Sequence, residues 1–214
     1  INYLLIIIIG FFFFCGICIP KLLGNKSDID ILNSQQVGIF DTKTIKAENS
    51  DALINWLKEN NFNFFEEDKK TFDNYIQKNW CFVVVRISPE ELQGFQTNGR
   101  LVDPLVFIFE TKEMIYPLAL TATVGSETKI LLYVFDNNKV LTDNRFETEF
   151  AGKHNSPILN NLKIKSDQQI NLSLFNDKFI TKLTATLGPE EMKEDLILKR
   201  TDDKTPYIKT IWKW

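Results

Sequence analysis

The chain has 214 residues, of which 25 are Lys or Arg and 28 are Asp or Glu, so its formal net charge is −3 at pH 7. Nucleic-acid-binding domains carry a basic excess on one face, and this near balance therefore predicts no nucleic-acid partner. Three cysteines are too few for the disulfide scaffold of a small secreted protein. The length leaves room for one domain with a hydrophobic core, or two small ones, after a membrane segment.

The first nineteen residues, Ile1 to Ile19, carry no charge. In a helix that rises about 1.5 Å per residue, such a run is about 30 Å long, which matches the hydrocarbon core of a bilayer. We therefore expect a single transmembrane helix over residues 1–22. Its phenylalanines are the first predicted contact residues for the membrane or for a partner subunit: Phe11, Phe12, Phe13 and Phe14.

The alternative interpretation of this run is a secretory signal peptide. A signal has a shorter apolar core of roughly 7–15 residues, followed by small residues at the cleavage site. The residues before Pro20 are Phe, Cys and Ile, without an Ala-x-Ala pattern. A lipoprotein signal needs a small residue before its cysteine, whereas Phe14 precedes Cys15 and Ile17 precedes Cys18. The sequence therefore favours a retained anchor.

The Cys-x-x-Cys spacing of Cys15 and Cys18 suggests redox chemistry or haem attachment at first sight. Haem attachment requires a histidine after the second cysteine, and Ile19 stands there. Thioredoxin-type chemistry requires an exposed thiolate beside a helix N-terminus, which a membrane helix does not provide. We therefore interpret both cysteines as small residues that pack within the expected helix.

Residues 23–36 show no long hydrophobic period and predict an exposed link. Residues 37–45 predict a first strand. A helix is then expected to begin at Asn49-Ser50-Asp51, because a side-chain oxygen caps the free amides and an acidic residue lies at the positive end of the helix dipole. Asn60 and Asn61 tolerate the left-handed conformation that ends a helix, so the helix is expected to stop there.

A second helix is expected over residues 68–78. Phe72, Tyr75 and Ile76 have the i, i+3, i+4 spacing of a buried stripe. Residues 80–87 then predict a strand that is apolar on both faces, which indicates a central position in a sheet with helices on one side. The domain therefore begins in the order strand, helix, helix, strand.

The rest of the chain is rich in predicted strands, at residues 105–109, 116–124, 129–135, 140–141 and 179–187. Gly125-Ser126 predicts a hairpin between the second and third of these. The acidic cluster after Gly188-Pro189 predicts a solvated helical turn. The predicted fold class is therefore α+β, with one mixed domain over residues 37–205, a largely antiparallel sheet and two adjacent helices.

Several short stretches within this order carry a resemblance to one family: Ser50 to Leu53, Trp56 to Asn60, Tyr75, Asn79 to Arg86, Ile115 to Leu118, Leu131 to Val134, Ile180 to Leu183 and Pro189 to Leu196. From about Val37 to Lys199 the chain resembles the uncharacterised bacterial domain-of-unknown-function family 2330. The resemblance implies an exported or anchored domain outside the cytoplasm. It brings no assigned activity and no catalytic residues, and an apolar run stands where a Cys-rich half commonly precedes these motifs.

The sequence contains no pattern typical of an active site. His154 is the only histidine and lies in a polar stretch, which is typical of a solvated side chain. No Gly-x-Ser-x-Gly elbow, phosphate-binding glycine loop or dinucleotide fingerprint occurs. We therefore predict no enzyme activity and no catalytic, metal-binding or cofactor-binding residue.

The C-terminal residues 206–214 are apolar and aromatic, whereas free tails are usually polar. This segment either adds a last strand to the domain or docks on a partner or the membrane interface, where Trp and Lys are favoured. Ile211, Trp212 and Trp214 therefore complete the set of predicted contact residues.

Three functional hypotheses follow. The favoured one is a non-catalytic accessory or structural subunit, anchored by one helix in a larger complex of integral membrane proteins, with its soluble domain on the extracytoplasmic (periplasmic) side. The alternative is a membrane-anchored module that binds a soluble ligand or an envelope polymer. The third is an enzyme of unrecognised type, which would need titratable groups clustered in one cleft.

Overall fold

A computed structural model of the protein describes residues 2–8, 14–17, 28–62, 68–88, 105–153 and 177–209. The chain divides into two compact units. The N-terminal unit comprises Ile1–Lys112 and Ala119–Thr123, and the C-terminal unit comprises Glu113–Leu118 and Val124–Trp214. Helices and antiparallel strand pairs together confirm the predicted mixed α and β class with mostly antiparallel sheets.

The described part of the N-terminal unit contains β1 Asn2–Ile8, β2 Phe14–Ile17, β3 Ile29–Val37, β4 Phe40–Ala47, α1 Ser50–Glu59, α2 Lys69–Gln77, β5 Trp80–Ile87 and β6 Leu105–Thr111. One sheet has the order β2-β5-β4-β3, and β1 pairs with β6 in a second sheet. β5 thus lies between two strands, which confirms the central position that its apolar sequence predicts.

The uncharged N-terminal run contains two strands where the sequence predicts a membrane helix. β1 pairs with β6 from Asn2↔Thr111 to Ile8↔Leu105, and β2 pairs with β5. Isoleucine and phenylalanine fit strands well when a partner strand satisfies their backbone groups. In the part of the chain that the structure describes, no helix combines the length and apolar character needed to cross a membrane. The helix expected over residues 1–22 is thus not confirmed.

Strand β3 occupies most of the stretch that the sequence predicts as an exposed link. It forms a hairpin with β4, and the two-residue turn contains Gly38 with a φ of 58° and Ile39. Glycine adopts this positive φ without the steric cost that a side chain brings. The side chains of β3 are almost all exposed. Because no buried face alternates with a polar one, the sequence lacks the usual signal of a strand here.

Both predicted helices of the N-terminal unit are confirmed. The Asn49 side chain accepts a hydrogen bond of 2.8 Å from the Ala52 amide at the start of α1. After the helix, Asn61 adopts a φ of 58°, which is the left-handed conformation expected of the stop signal. The buried residues of the two helices are Ser50, Leu53, Ile54, Leu57, Phe72 and Tyr75.

The described part of the C-terminal unit contains β7 Met114–Tyr116, β8 Thr128–Asp136, β9 Val140–Leu141, β10 Glu147–Lys153, β11 Phe179–Leu187, a 3-10 turn at Pro189–Met192, β12 Leu196–Arg200 and β13 Tyr207–Ile208. Two sheets have the orders β13-β10-β11-β8 and β7-β12-β9. β8, β9 and β11 confirm predicted strands. β13 confirms that the C-terminal segment adds a strand, at Tyr207 and Ile208.

The strand predicted over residues 116–124 is wrong. β7 ends at Tyr116, and helix α3 Leu118–Thr121 follows, continued by a 3-10 turn at Ala122–Val124. Proline is favoured at a helix start and Leu and Ala are good helix formers, so Pro117-Leu118-Ala119-Leu120 suits this start. These apolar residues are buried, and periodicity alone does not distinguish a short buried strand from a short buried helix. The predicted hairpin is also absent, because β8 pairs with β11.

Candidate interaction surface

The sheet β13-β10-β11-β8 buries one of its two faces. Alternate side chains of successive strand residues point to opposite faces, and one set is buried in this sheet: Ile130, Val134, Ala151, Thr181, Leu183, Ala185 and Leu187. Within this core, the Thr181 hydroxyl accepts a hydrogen bond of 3.2 Å from the Val140 amide. This contact joins β11 to β9, and it satisfies a polar group that would otherwise be costly to bury.

The opposite face of the same sheet buries Ile180 but leaves a group of large side chains at least partly open to solvent. We call it the outer face and define it by Leu131, Tyr133, Phe150, Lys182 and Ile208. The register aligns Tyr133 with Lys182, Lys182 with Phe150, and Phe150 with Ile208, so one row of side chains crosses all four strands. At about 4.8 Å between strands, the row is about 14 Å long.

The outer face exposes large apolar side chains side by side. Leu131, Tyr133 and Ile208 are 47%, 53% and 69% exposed. Phe150 lies across Gly152, where an added Cβ would come within 2.9 Å of the Phe150 ring. Single exposed apolar residues are common on soluble proteins, but a contiguous group with an aromatic anchor is typical of a binding surface.

Lys182, in the middle of this row, forms an ion pair with Glu149. Lys182 Nζ lies 2.6 Å from Glu149 Oε2 and 5.8 Å from the centre of the Tyr133 ring. The hydrogen bond between the two charged groups raises the pKa of Lys182 and lowers the pKa of Glu149, so both stay ionised near neutral pH. A partner that covers the face therefore meets a paired charge, which is less costly to desolvate than a single one.

A second ion pair holds β13 at the edge of the outer face. Lys209 Nζ lies 2.6 Å from Glu147 Oε2, and the Lys209 amide donates to the Glu149 carbonyl at 2.9 Å. The hydrogen bond that the Lys209 ammonium group donates to Glu147 raises the pKa of Lys209. These contacts fix Ile208 beside Phe150, directly before the predicted contact residues of the C-terminal segment.

An open depression adjoins the outer face at the ends of β10 and β11. It is lined by Asn144, Arg145, Phe146, Glu147, Thr184, Ala185 and Thr186. Thr184 pairs with Leu131 in the sheet register, so the depression begins beside the Leu131 strand position of the outer face. Its lining side chains are mostly polar, which suits a ligand or partner segment with hydrogen-bonding groups.

Arg145 holds the chain together at the rim of this depression. Its guanidinium pairs with both Asp143 carboxylate oxygens at 2.7–3.1 Å. It also donates to the carbonyls of Glu191, Glu194 and Asp195 at 3.0, 2.8 and 3.3 Å. The acidic cluster is therefore a turn, as predicted. The mostly buried side chain of Arg145 holds the backbone of this turn in place through these hydrogen bonds. The hydrogen bond from Arg145 lowers the pKa of Asp143.

A further ion pair connects β8 to β12. Arg200 Nε and Nη2 each lie 2.9 Å from an Asp136 carboxylate oxygen, and the Asn138 amide donates to the same group at 3.2 Å. Burial of Asp136 opposes its ionisation, but the hydrogen bonds from Arg200 and Asn138 outweigh this effect and lower its pKa. The Asp136 carboxylate therefore caps the turn that leads from β8 into β9.

These carboxylates make stability fall in acid. A carboxyl whose pKa is lower in the folded than in the unfolded chain stabilises the fold above its unfolded pKa of about 3.9 and loses this effect as pH falls through the folded pKa. Asp136 and Asp143 have lowered pKa values, and hydrogen bonds from Thr205 help lower that of Asp203 to about 2. We expect urea midpoints to fall from about pH 4 to pH 2. Asp136→Asn should flatten this slope, and parallel curves would contradict the assignment.

The predicted contact residues lie largely outside the described residues. Phe11, Phe12, Phe13, Ile211, Trp212 and Trp214 lie there, as does His154. Phe14 is the first residue of β2. The outer face was not predicted from sequence. The sequence feature that could have indicated this face is the run from Ile130 to Val134, which is apolar on both faces. An edge strand such as β8 usually has one polar face.

Among the described residues, no group of three His, Cys, Asp or Glu side chains is placed to hold a metal ion. No curated protein and no solved structure matches the chain. One family model matches residues 21–199, and its description reads "Uncharacterized protein conserved in bacteria (DUF2330)". The match ends at Lys199, as the resemblance predicts, and begins earlier than Val37. With most of its length matched, the chain belongs to this family of bacterial proteins.

Proposed function

We propose that the protein is a non-catalytic accessory subunit that binds integral membrane proteins of a larger complex through the outer face, on the extracytoplasmic side. The observation that carries the proposal is the row from Tyr133 to Ile208. It combines an exposed tyrosine, exposed aliphatic side chains and a paired central charge, which are the features of a protein-binding surface. In the sequence, Ile211, Trp212 and Trp214 come shortly after Ile208, and we propose them as further contact residues.

The extracytoplasmic location has support that is independent of this surface. Cys81 is disulfide-bonded. Disulfides persist in oxidising compartments such as the periplasm, whereas the cytoplasm keeps thiols reduced. This bond agrees with the location that the family resemblance implies.

Membrane attachment in this proposal comes from the uncharged run Ile1 to Ile19. A helix over residues 1–22 would anchor the chain directly, whereas strands β1 and β2 would leave attachment to the partner. Alkaline carbonate extraction of native membranes distinguishes the two arrangements, because a helical anchor stays in the membrane pellet and a chain held by partner contacts is released. We propose the anchor, and release of the chain would contradict it.

The test of the proposed function is co-purification from native membranes in mild detergent. We expect the wild-type chain to bring a stoichiometric set of membrane proteins. The double variant Leu131→Ser/Tyr133→Ser should lose them, because it removes exposed apolar contacts without changing the core. Leu141→Ser is the matched control, since Leu141 is 49% exposed but lies on β9 in another sheet. It should retain every partner.

Two results would contradict the accessory-subunit proposal. One is a wild-type chain that purifies alone and monomeric from native membranes. The other is equal recovery of partners with the outer-face double variant and with the wild type. A photo-crosslinking residue at position 133 gives a second readout, because it should label a membrane protein, whereas the same residue at position 141 should not.

A second candidate function is a module that binds a ligand or an envelope polymer, and the open depression favours it. Asn144, Glu147, Thr184 and Thr186 present polar groups there. Hydrogen-bonding side chains of this kind fix the orientation of a polar ligand in a binding site. Calorimetric titration of the purified chain with envelope polysaccharide fragments would test it, and Thr186→Ala should weaken any binding that occurs there.

A further inference from the structure

β8 is an edge strand whose sequence lacks the usual protection of an edge. Its nine residues, Thr128–Asp136, pair with β11 without a register shift. Among the residues that the structure describes, no second strand pairs with β8. Native edge strands are protected by shortness, bulges, proline or charged side chains, because an open edge can pair with another chain. β8 is long, and its residues 130–135 contain neither proline nor a charged side chain.

Two other edge strands of the protein do show this protection. β13, at the opposite edge of the same sheet, is only two residues long. β3, at an edge of the N-terminal sheet, has a register shift between Ile31 and Asn33, and it carries the charged Asp30. The contrast indicates that the edge of β8 is kept suitable for pairing with a further strand.

The side chains of β8 also leave apolar surface for such a strand to cover. Leu131 and Tyr133 on the outer face are 47% and 53% exposed. On the opposite face Ile130 and Val134 are buried, whereas Leu132 between them is only partly buried. Removal of apolar surface from water is the main favourable contribution to most protein association. A strand added beside β8 would cover part of the surface of Leu131, Leu132 and Tyr133.

The order of residues in β8 is complementary to a second copy of the same strand. In an antiparallel pair with a twofold axis at Leu132, Leu132 meets its own copy, Leu131 meets Tyr133 of the second copy, and Ile130 meets Val134. Directly opposed residues share a face, so exposed side chains meet exposed ones and buried side chains meet buried ones. Since residues 130–134 carry no charge, no like charges are brought together.

Other registers of two β8 strands fit less well. An axis between two residues would set the outer face of one copy against the buried face of the other, because side chains alternate with a period of two. An axis one residue later would oppose Ile130 and Asp136, and an axis one residue earlier would oppose Phe135 and Glu127. Both would bring a carboxylate against an apolar side chain, which is costly to desolvate. The sequence therefore favours the axis at Leu132.

We propose that two copies of the chain pair through their β8 edges, antiparallel and with the twofold axis at Leu132, so that two four-stranded sheets become one sheet of eight strands. Over residues 130–134 the pairing adds about five backbone hydrogen bonds, within the usual range for a protein interface. Closed twofold symmetry is the commonest arrangement of homo-oligomers. The proposal goes beyond the proposed partner binding and does not rest on it, because the backbone groups at the sheet edge make the pairing.

Leu132→Cys in the full chain tests the axis directly. Opposed residues of an antiparallel pair have Cα atoms about 4.5–5.5 Å apart, a distance that a disulfide spans. Mild oxidation of native membranes should link two copies and give a product of twice the chain mass in non-reducing electrophoresis. Lys129→Cys is the matched control, because the two copies of position 129 would lie six residues apart along the pair, at about 20 Å. It should give no more of this product than the wild type, in which the three native cysteines set the background.

Two results of the cross-linking experiment would overturn the proposal. One is an equal yield of the double-mass product from Leu132→Cys and Lys129→Cys. The other is a cross-link from position 132 to a different protein, which would mean that another chain supplies the added strand.

Sedimentation of the purified full chain in mild detergent gives a second readout. Wild type should dimerise reversibly, and Leu132→Lys should raise the dissociation constant of the dimer at least tenfold, because like charges would be opposed at the axis. Leu141→Lys on β9 is the control and should leave the constant unchanged, and circular dichroism checks that each variant is folded. Equal dissociation constants for wild type and a folded Leu132→Lys would overturn the proposal.

The edge pairing and the proposed partner binding can fail separately. Leu132→Lys should still co-purify with membrane proteins, because Leu132 lies on the face of β8 opposite the outer face. A wild-type dimer that brings no membrane protein would support the edge pairing and contradict the proposed function. A wild-type chain that brings membrane proteins but gives no cross-link in Leu132→Cys would contradict the edge pairing alone.

Discussion

Replacing Phe82 with alanine is expected to lower the free energy of unfolding of the N-terminal unit by about 3–5 kcal/mol, which is the usual cost of a large cavity in a core. Phe82 is fully buried on the central strand β5 and packs edge to face on Phe72. It also opposes Ile45 in the register of β4, another fully buried residue. The vacated space is lined by a helix and a neighbouring strand, so collapse cannot fill it.

The measurement is guanidinium unfolding followed by tryptophan fluorescence, because Trp56 and Trp80 belong to this unit. Val83→Ala is the control on the same strand. Val83 is only partly buried and alternates to the other face, so its loss should cost about 1 kcal/mol. Equal midpoints for Phe82→Ala and Val83→Ala would show that the described helix–sheet core is not what stabilises the unit.

Replacing Arg145 with alanine is expected to cost about 2–3 kcal/mol of unfolding free energy in the C-terminal unit, since hydrogen bonds from a charged donor contribute more than neutral ones. The guanidinium pairs with the Asp143 carboxylate and also donates hydrogen bonds to three carbonyls in and after the turn at Pro189–Met192. Its removal leaves the Asp143 charge and these carbonyls without their shared donor. Arg145→Lys should recover little, because an ammonium group cannot reproduce the planar fork.

Hydrogen exchange followed by mass spectrometry measures this effect locally, and circular dichroism during urea unfolding measures it globally. We expect faster exchange in the turn and in β12 for Arg145→Ala. Lys193→Ala is the matched control, because it removes a positive charge from the same turn. Lys193 pairs with Glu190, and both side chains are exposed, so that pair should contribute little. If both variants lose equal stability, charge alone explains the effect and the fork geometry does not.

The outer face shows how an exposed apolar surface can go unpredicted by a sequence pattern. The sequence predicts a strand over residues 129–135, because their β-branched and aliphatic residues fit one. The pattern could not indicate that Leu131 and Tyr133 stay exposed, since Ile130 and Val134 beside them are equally apolar. The position of β8 in the structure decides that these side chains are exposed. β8 is the edge strand of its sheet, and only one side of that sheet packs on the core. Edge position depends on which strands pair, and that is not a local property.

Local signals did determine several elements of this protein from the sequence alone. The cap at Asn49 and the stop at Asn61 act through backbone contacts within a few residues, so α1 could be read directly. The apolar stripe of α2 and the apolar run of β5 likewise depend only on their own spacing. The family assignment rests on the same short stretches, and the matched range confirms it.

The tertiary structure alone decided the features that join distant parts of the chain. Arg145 reaches carbonyls that lie 46 to 50 residues later, β8 pairs with β11 rather than with its neighbour, and α3 forms where an apolar run could equally be a strand. Such contacts are selected by the free energy of the whole packed unit, to which burial and pairing contribute more than local propensity. The sequence by itself determined the elements with local signals, and long-range packing determined which of their faces stay exposed.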